Sequence, residues 1–185
     1  MNFFYDPYVE REEFLKFGRI KNTNLLDLGA GSGQLAQIAA GELGCHVTCI
    51  DPSPEKLERA GKHLDNPDLL KRIHFKQGDA RSLSYANDSF NCVTCYSVLH
   101  HIKHEEREQV VLEASRVARE KILFAELNLE GAKYFDEVLH PGERHQEKLV
   151  YSDWLLSKTS RLGKITFFSR KFTYFVLLEK IKKMI

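Results

Sequence analysis

Residues 25–33 read Leu25-Leu26-Asp27-Leu28-Gly29-Ala30-Gly31-Ser32-Gly33. An apolar run carries one acid and then breaks into three alternating glycines. A short apolar run bounded by a turn reads as a buried strand. Glycine admits backbone angles and close approaches that side chains forbid. Gly33 to Ala40 then reads as a helix. Strand, glycine turn and helix in this order are the setting of a dinucleotide or nucleoside site.

The same alternation continues outward from this stretch. Strands are expected near 24–28, 45–50, 72–77, 90–96 and 121–127, in runs rich in Val, Ile, Leu and Phe, as buried parallel strands require. Helical patterns lie between them. Pro54 to Leu64 has Pro in its first turn and Leu57, Ala60 and Leu64 on one stripe. Glu105 to Ala118 places Val110, Val111, Ala114 and Val117 inward. Ser152 is a candidate cap for a helix through about Ser160. Two final strand runs, KITFFS and FTYFVLLE, are separated by a few residues around Arg170 and Lys171, so they are expected to pair as an antiparallel hairpin. The expected fold is α/β, a Rossmann-like three-layer sandwich with a mostly parallel seven-stranded sheet and a C-terminal antiparallel hairpin.

Composition narrows the function classes. A chain of 185 residues suits one domain over 1–185, and its formal net charge of +1 lacks the basic footprint of a nucleic-acid binder. Lys180, Lys182 and Lys183 crowd the C-terminus and read as a solvated cluster. No apolar stretch approaches a membrane span, and the first residues do not read as a secretory leader. A cytoplasmic setting is expected. The spacing of Cys92 and Cys95 invites a metal or redox reading, but residues three apart on a strand face opposite ways. Those two, with Cys45 and Cys49, are expected to be buried thiols. Residues 1–20, with Phe3, Phe4, Tyr5, Tyr8, Phe14 and Phe17, and the connection 128–151, with His140 and His145, lie outside the alternation. Either could cover the ligand edge of the sheet, the connection as a lid; the aromatics could equally pack as a helix on the sheet.

The glycine loop alone is ambiguous. Gly31-Ser32-Gly33-Gln34-Leu35-Ala36 fits the GxGxxA form of a dinucleotide fingerprint, with Asp51 at the end of the second strand to hold a ribose. With Asp27, however, the stretch becomes D-x-G-x-G-x-G. CIDPSPEKLERA, QGDARSL and FNCVTCYSVLHHI follow it in order. Here the chain resembles the class I S-adenosylmethionine-dependent methyltransferases, specifically small-molecule enzymes of the quinone-biosynthesis type. The resemblance covers Asn24 to Glu179 and implies S-adenosyl-L-methionine as cofactor. It implies that Gly29, Gly31 and Gly33 form the cofactor loop, that Asp27 helps position the methionyl end, and that Asp51 binds the ribose hydroxyls. It also implies that Asp79 meets the adenine amino group, that Ala80 offers its N–H to the ring, and that Tyr96 and Ser97 border the cofactor at the exit of the fourth strand. Each acid also has a plain structural role open to it: Asp27 bracing the turn, Asp51 capping the helix at Pro54, Asp79 filling a turn.

Methyl transfer needs alignment and exclusion of water, and a base only where the acceptor must lose a proton. His100 and His101, just past Tyr96, are the candidates for base or for orienting the acceptor, since imidazole titrates near neutrality. The plainer alternative has one histidine packed and the other solvated. No metal is expected, because no spacing demands one among His100, His101, His140 and His145. The resemblance favours a small-molecule acceptor and gives no nucleic-acid or membrane partner, since the strand exit lacks the Asn/Asp-Pro-Pro-aromatic stretch of amino-directed nucleic-acid methyltransferases. Two other readings stay open. One is a module with this fold that binds S-adenosylmethionine without transferring a methyl group. The other is an NAD-dependent oxidoreductase, disfavoured by the lack of a Tyr-x-x-x-Lys pair.

Overall fold

The computed structural model describes residues 5–64 and 66–181. Phe3, Phe4, Lys182 and Lys183 lie outside the described residues. The chain opens with helix α1, Pro7–Phe17, capped by the Asp6 carboxylate, which accepts from the N–H groups of Tyr8 and Val9. Strand β1, Asn24–Leu28, helix α2, Gln34–Gly41, and strand β2, His46–Asp51, follow. Next come α3, Pro54–Lys62, the single turn α4, Pro67–Leu70, and β3, Ile73–Gln77. Strand β4 is Phe90–Tyr96, α5 is Arg107–Val117 and β5 is Ala118–Leu127. Helix α6, Leu129–Tyr134, continues into a π-helical turn over Phe135–Leu139. Helix α7, Ser152–Thr159, and strands β6, Gly163–Ser169, and β7, Thr173–Lys180, complete the fold.

The seven strands lie in the order β3-β2-β1-β4-β5-β7-β6. The first five run parallel, and β7 pairs antiparallel with both β5 and β6. The expected Rossmann-like sheet and hairpin are therefore present. β7 inserts between β5 and β6, a placement that the two apolar runs do not reveal on their own.

Side chains alternate between the sheet's two faces. Leu25, Cys92 and Leu123 pack with Phe14, Leu35, Ile38 and Ala60 beneath α1, α2 and α3. Leu26, Leu28, Val93 and Phe124 pack with Val110, Ala114 and Leu155 beneath α5 and α7. Each fully buried Leu, Ile or Phe contributes roughly 1.5–3 kcal/mol. Such a core can offset the cost of holding a few carboxylates inside. All four cysteines are free and buried, with Cys92 and Cys95 on opposite faces as the strand period requires.

Phe14 packs edge-on against Tyr96 and Phe175 inside the core, while Tyr5 reaches the ligand edge, its hydroxyl 3.5 Å from that of Tyr96. Ser152 is not the cap of α7. It is the first helical residue, preceded by Tyr151 in an extended conformation, and no side chain caps that end. The connection 128–151 is ordered by its own polar groups: the Asn128 side chain caps α6, and Asp136 accepts from the N–H groups of His145 and Gln146 and sits 2.7 Å from His145 Nδ1.

Candidate active site

Crossovers run to opposite sides of β1 and β4, so the carboxyl ends of these two strands bound a crevice. A cleft of about 370 Å³ opens there. Gly29, Gly31, Asp51, Asp79, Ala80 and Ser97 all line it, with Tyr96 and His101 on its wall. A smaller recess of about 40 Å³ adjoins it between Asp27, Gly31, Ser32, Arg11 and Tyr96.

The three loop glycines do different jobs. Gly29, Gly31 and Gly33 all have positive φ, at 88°, 52° and 78°. A Cβ at Gly29 would come within 2.6 Å of Val98, and one at Gly33 would press on Ala60 of α3 at 3.2 Å. A Cβ at Gly31 would meet nothing within 4 Å. Two glycines thus make room for the protein itself, and one leaves its space to the cleft. Gly33 does not line the cleft; it starts α2 in the left-handed conformation.

Asp51 is 4% exposed, yet its side chain borders the cleft. One oxygen accepts from Ala30 N–H at 3.2 Å and the other from Ser53 N–H at 2.9 Å. Each oxygen retains a lone pair. Asp51 is not the helix cap, because Ser53 Oγ accepts from Lys56 N–H and fills that role. Asp79 is held differently. Arg81 grips both of its oxygens through Nε and Nη2 at 2.6–3.0 Å and extends Nη1 to Glu106 at 2.7 Å. The Arg81 hydrogen bonds hold the Asp79 carboxyl below its usual range.

Asp27 is buried at 2% exposure in a row across the sheet. Thr94 Oγ1 donates to it at 2.8 Å, and the Cys49 thiol lies at 3.6 Å. Burial pushes its pKa up to about 7, against the lowering influence of Thr94, Cys49 and Arg11. Arg11 is the residue that sequence reasoning missed here. Its guanidinium lies 4.9 Å above the Tyr96 ring and lines the same recess as Asp27, with no carboxylate partner among the described residues.

The strand exit turns sharply. Ser97 has φ +54° and donates its N–H to the Ala125 carbonyl at 2.8 Å. The turn drops His100 into the interior, 7% exposed, while His101 keeps an exposed edge in the cleft. The packed-and-solvated division of the two histidines is thus what the geometry contains, but His100 is not passive packing. Its Nδ1 sits 2.7 Å from Glu126 Oε2, and Glu126 Oε1 accepts from Leu99 N–H at 2.7 Å. Glu126 is 1% exposed at the end of β5 and was not singled out in the sequence. The hint it offers is an acid among the apolar residues 122–127 that form the second half of β5. The His100 and His101 rings are 4.0 Å apart, and His145 follows at 5.7 Å from His100. Among the described residues no group of three His, Cys, Asp or Glu side chains is placed to hold a metal ion.

Residues 25–121 match the sequence model of a family described as "Methyltransferase domain". The 27-O-demethylrifamycin SV methyltransferase of Amycolatopsis mediterranei is 36% identical over 95 residues, covering 51% of this chain and 34% of that protein. The mitochondrial ubiquinone biosynthesis O-methyltransferase of Schizosaccharomyces pombe is 33% identical over 104 residues, covering 56% and 35%. The aligned part of the chain spans about a third of these relatives' length. Among solved structures, a SAM dependent methyltransferase from Aquifex aeolicus superposes with a TM-score of 0.72 at 18% identity, covering 95% of this chain and 94% of that one. The cyclase SpnF superposes at 0.75 with 16% identity, covering 94% and 80%. Likeness at such identities speaks for the fold, and the cyclase shows that this fold carries more than one chemistry. The sequence match over half of the chain decides the family: the chain belongs to the methyltransferase domain family.

Proposed function

We propose that the chain is an S-adenosylmethionine-dependent methyltransferase acting on a small molecule, with its whole chain forming one catalytic domain. The carrying observation is the conjunction of Asp51, a buried carboxylate with lone pairs left toward the cleft, and Gly31, whose missing side chain leaves the loop open. A nucleoside fits this cradle, its ribose hydroxyls donating to Asp51. The adjoining recess fits an amino-acid end: Asp27 faces an ammonium and Arg11 a carboxylate. At the other end, Asp79 reads an adenine amino group beside the Ala80 N–H once the group competes with Arg81. Tyr96 and Ser97 flank the middle of the cleft.

S-adenosylmethionine, when bound, supplies a methyl group on a positively charged sulfur. The chain's residues then have to bind, align and exclude water. Tyr96, Tyr5 and Phe135 wall the strand exit with aromatic surface. With its ring proton on Nδ1 against Glu126, His100 keeps Nε2 free to take one from an acceptor hydroxyl; the ring is buried and does not line the cleft, so that hydroxyl must reach it past His101. His101, next in line and facing the cleft, orients the acceptor. The curated relatives named above are small-molecule methyltransferases by name, which supports an acceptor of that class over a nucleic acid. A cytoplasmic setting rests on the four free thiols; among the described residues no helix is long and apolar enough to cross a membrane.

Replacing Asp51 by Ala tests the cradle. Two hydrogen bonds to a charged acceptor are worth about 1.5–3 kcal/mol each, so S-adenosylhomocysteine should bind at least about tenfold more weakly, as read by calorimetry. Unchanged affinity in a folded variant would remove the ribose role.

A further inference from the structure

Among the described residues Arg107 is the only buried Lys or Arg, at 6% exposure. No carboxylate there pairs with it, and three backbone carbonyls take its N–H groups instead. Nε donates to Ile102 at 3.1 Å, Nη1 to Leu149 at 3.0 Å and Nη2 to Lys148 at 2.8 Å. Nothing in α5 asks for such a residue. Arg107 opens that helix, where a positive charge opposes the helix dipole, and a buried charge without an ion pair is costly to hold. Burial lowers the guanidinium pKa, with the charge of Glu126 acting the other way. By contrast Arg116, which also holds two carbonyls, those of Leu83 and Tyr85, keeps Glu113 as its counter-ion.

The three carbonyls belong to the two segments that bring the histidines together. Ile102 follows the turn Leu99–His101. Glu126 holds the entrance of that turn through Leu99 N–H, and Arg107 holds its exit. Lys148 and Leu149 follow His145, whose Nδ1 is 2.7 Å from Asp136 and whose ring is 5.7 Å from that of His100. Lys148 N–H returns to the His145 carbonyl at 3.0 Å, so a grip on residue 148 is passed directly to His145. The planar fork of a guanidinium can hold two segments at once, which the point charge of a lysine cannot. We propose that Arg107 is a positioning residue of this site: it fastens the connection 128–151 to the histidine turn, and so fixes His100 between Glu126 and His145 and holds His101 on the cleft wall. Its part in catalysis rests on the methyltransferase reading; its hold on the histidines does not.

The test follows the ring proton between His100 Nδ1 and Glu126 by NMR of the unliganded protein. Buried in a 2.7 Å charge-assisted contact, that proton should give a resolved downfield resonance in the wild type. Hydrogen exchange is read in parallel at the amides of 99–102 and 145–149. Arg107→Lys keeps the charge without the fork. In it the resonance should be lost and those amides should exchange at least about tenfold faster, while β1 and α2 keep their wild-type protection. In Arg107→Ala, guanidinium far below its unfolding concentration should restore the resonance, and potassium at the same concentration should not. Should Arg107→Ala fail to fold, Arg107→Lys decides alone. A retained resonance with wild-type exchange in Arg107→Lys would overturn the proposal. Loosening spread evenly into β1 and α2 would overturn it too, since plain structural support acts in that way, as would no rescue in a folded Arg107→Ala. Binding of S-adenosylhomocysteine to the wild type is measured separately. If it fails while the resonance depends on Arg107, the positioning stands and the methyl-transfer reading falls.

Discussion

Glu126→Gln is expected to slow methyl transfer by roughly 10²–10³-fold while changing affinity for S-adenosylhomocysteine by no more than about twofold. Glu126 is 1% exposed, and its two oxygens serve one backbone N–H and one ring nitrogen. A glutamine has one oxygen and one NH₂ group. If the oxygen keeps Leu99 N–H, the NH₂ faces His100 Nδ1 and drives the ring proton to Nε2. That nitrogen can then no longer accept a proton from the acceptor. Position is retained and the tautomer is lost, so kcat should fall with little change in KM. His100→Gln should cost about as much, and the double variant little more, because the two side chains act as one unit. Full activity in Glu126→Gln would show that His100 takes no proton.

The second large effect concerns stability. Asp27→Asn should make the unliganded protein more stable than the wild type at pH 8, by on the order of 4 kcal/mol at most. The Asp27 carboxyl titrates at about 7 in the fold against 3.8 ordinarily, because burial penalises its charge. Between these values the folded chain holds a proton that the unfolded chain has released. Its contribution is therefore full below about pH 4 and is lost as pH rises through 7. The asparagine has no such transition. Its amide fits the same row, since Thr94 Oγ1 also lies 3.4 Å from the Leu26 carbonyl and can turn to it. Urea unfolding of both proteins at pH 5 and pH 8 reads the difference directly. Parallel pH dependences would contradict the assignment of a strained buried acid. The same variant should bind S-adenosylmethionine at least about tenfold more weakly, because the charge that destabilises the empty protein is the one an ammonium offsets.

Much of the frame is legible in the chain because local chemistry and global fold agree. The run from Phe90 to Tyr96 is a strand with the expected ends. The glycine loop sits at the switch point where its context requires it, and Asp51 reaches the cleft from the end of β2. What stays hidden depends on distant partners. Arg11 is an ordinary charged residue on a short helix until α1 crosses the sheet edge and lays it on Tyr96. Glu126 resembles any acid at a strand end until the Ser97 turn folds Leu99 and His100 back over it. The connection 128–151 has no helical period to read, because its turns depend on the Asn128 and Asp136 side chains and include a π-helical stretch. Ser152 carries the right residue type for a cap, but its neighbour Tyr151 occupies the position.

If this cleft holds a sulfonium nucleoside, S-adenosylmethionine binds there. Calorimetric titration of the wild-type protein with S-adenosylmethionine, S-adenosylhomocysteine and NAD tests it most directly. Roughly micromolar binding of the two sulfur ligands and no heat from NAD are expected under the same conditions. Binding of NAD alone, or silence for all three, would contradict it.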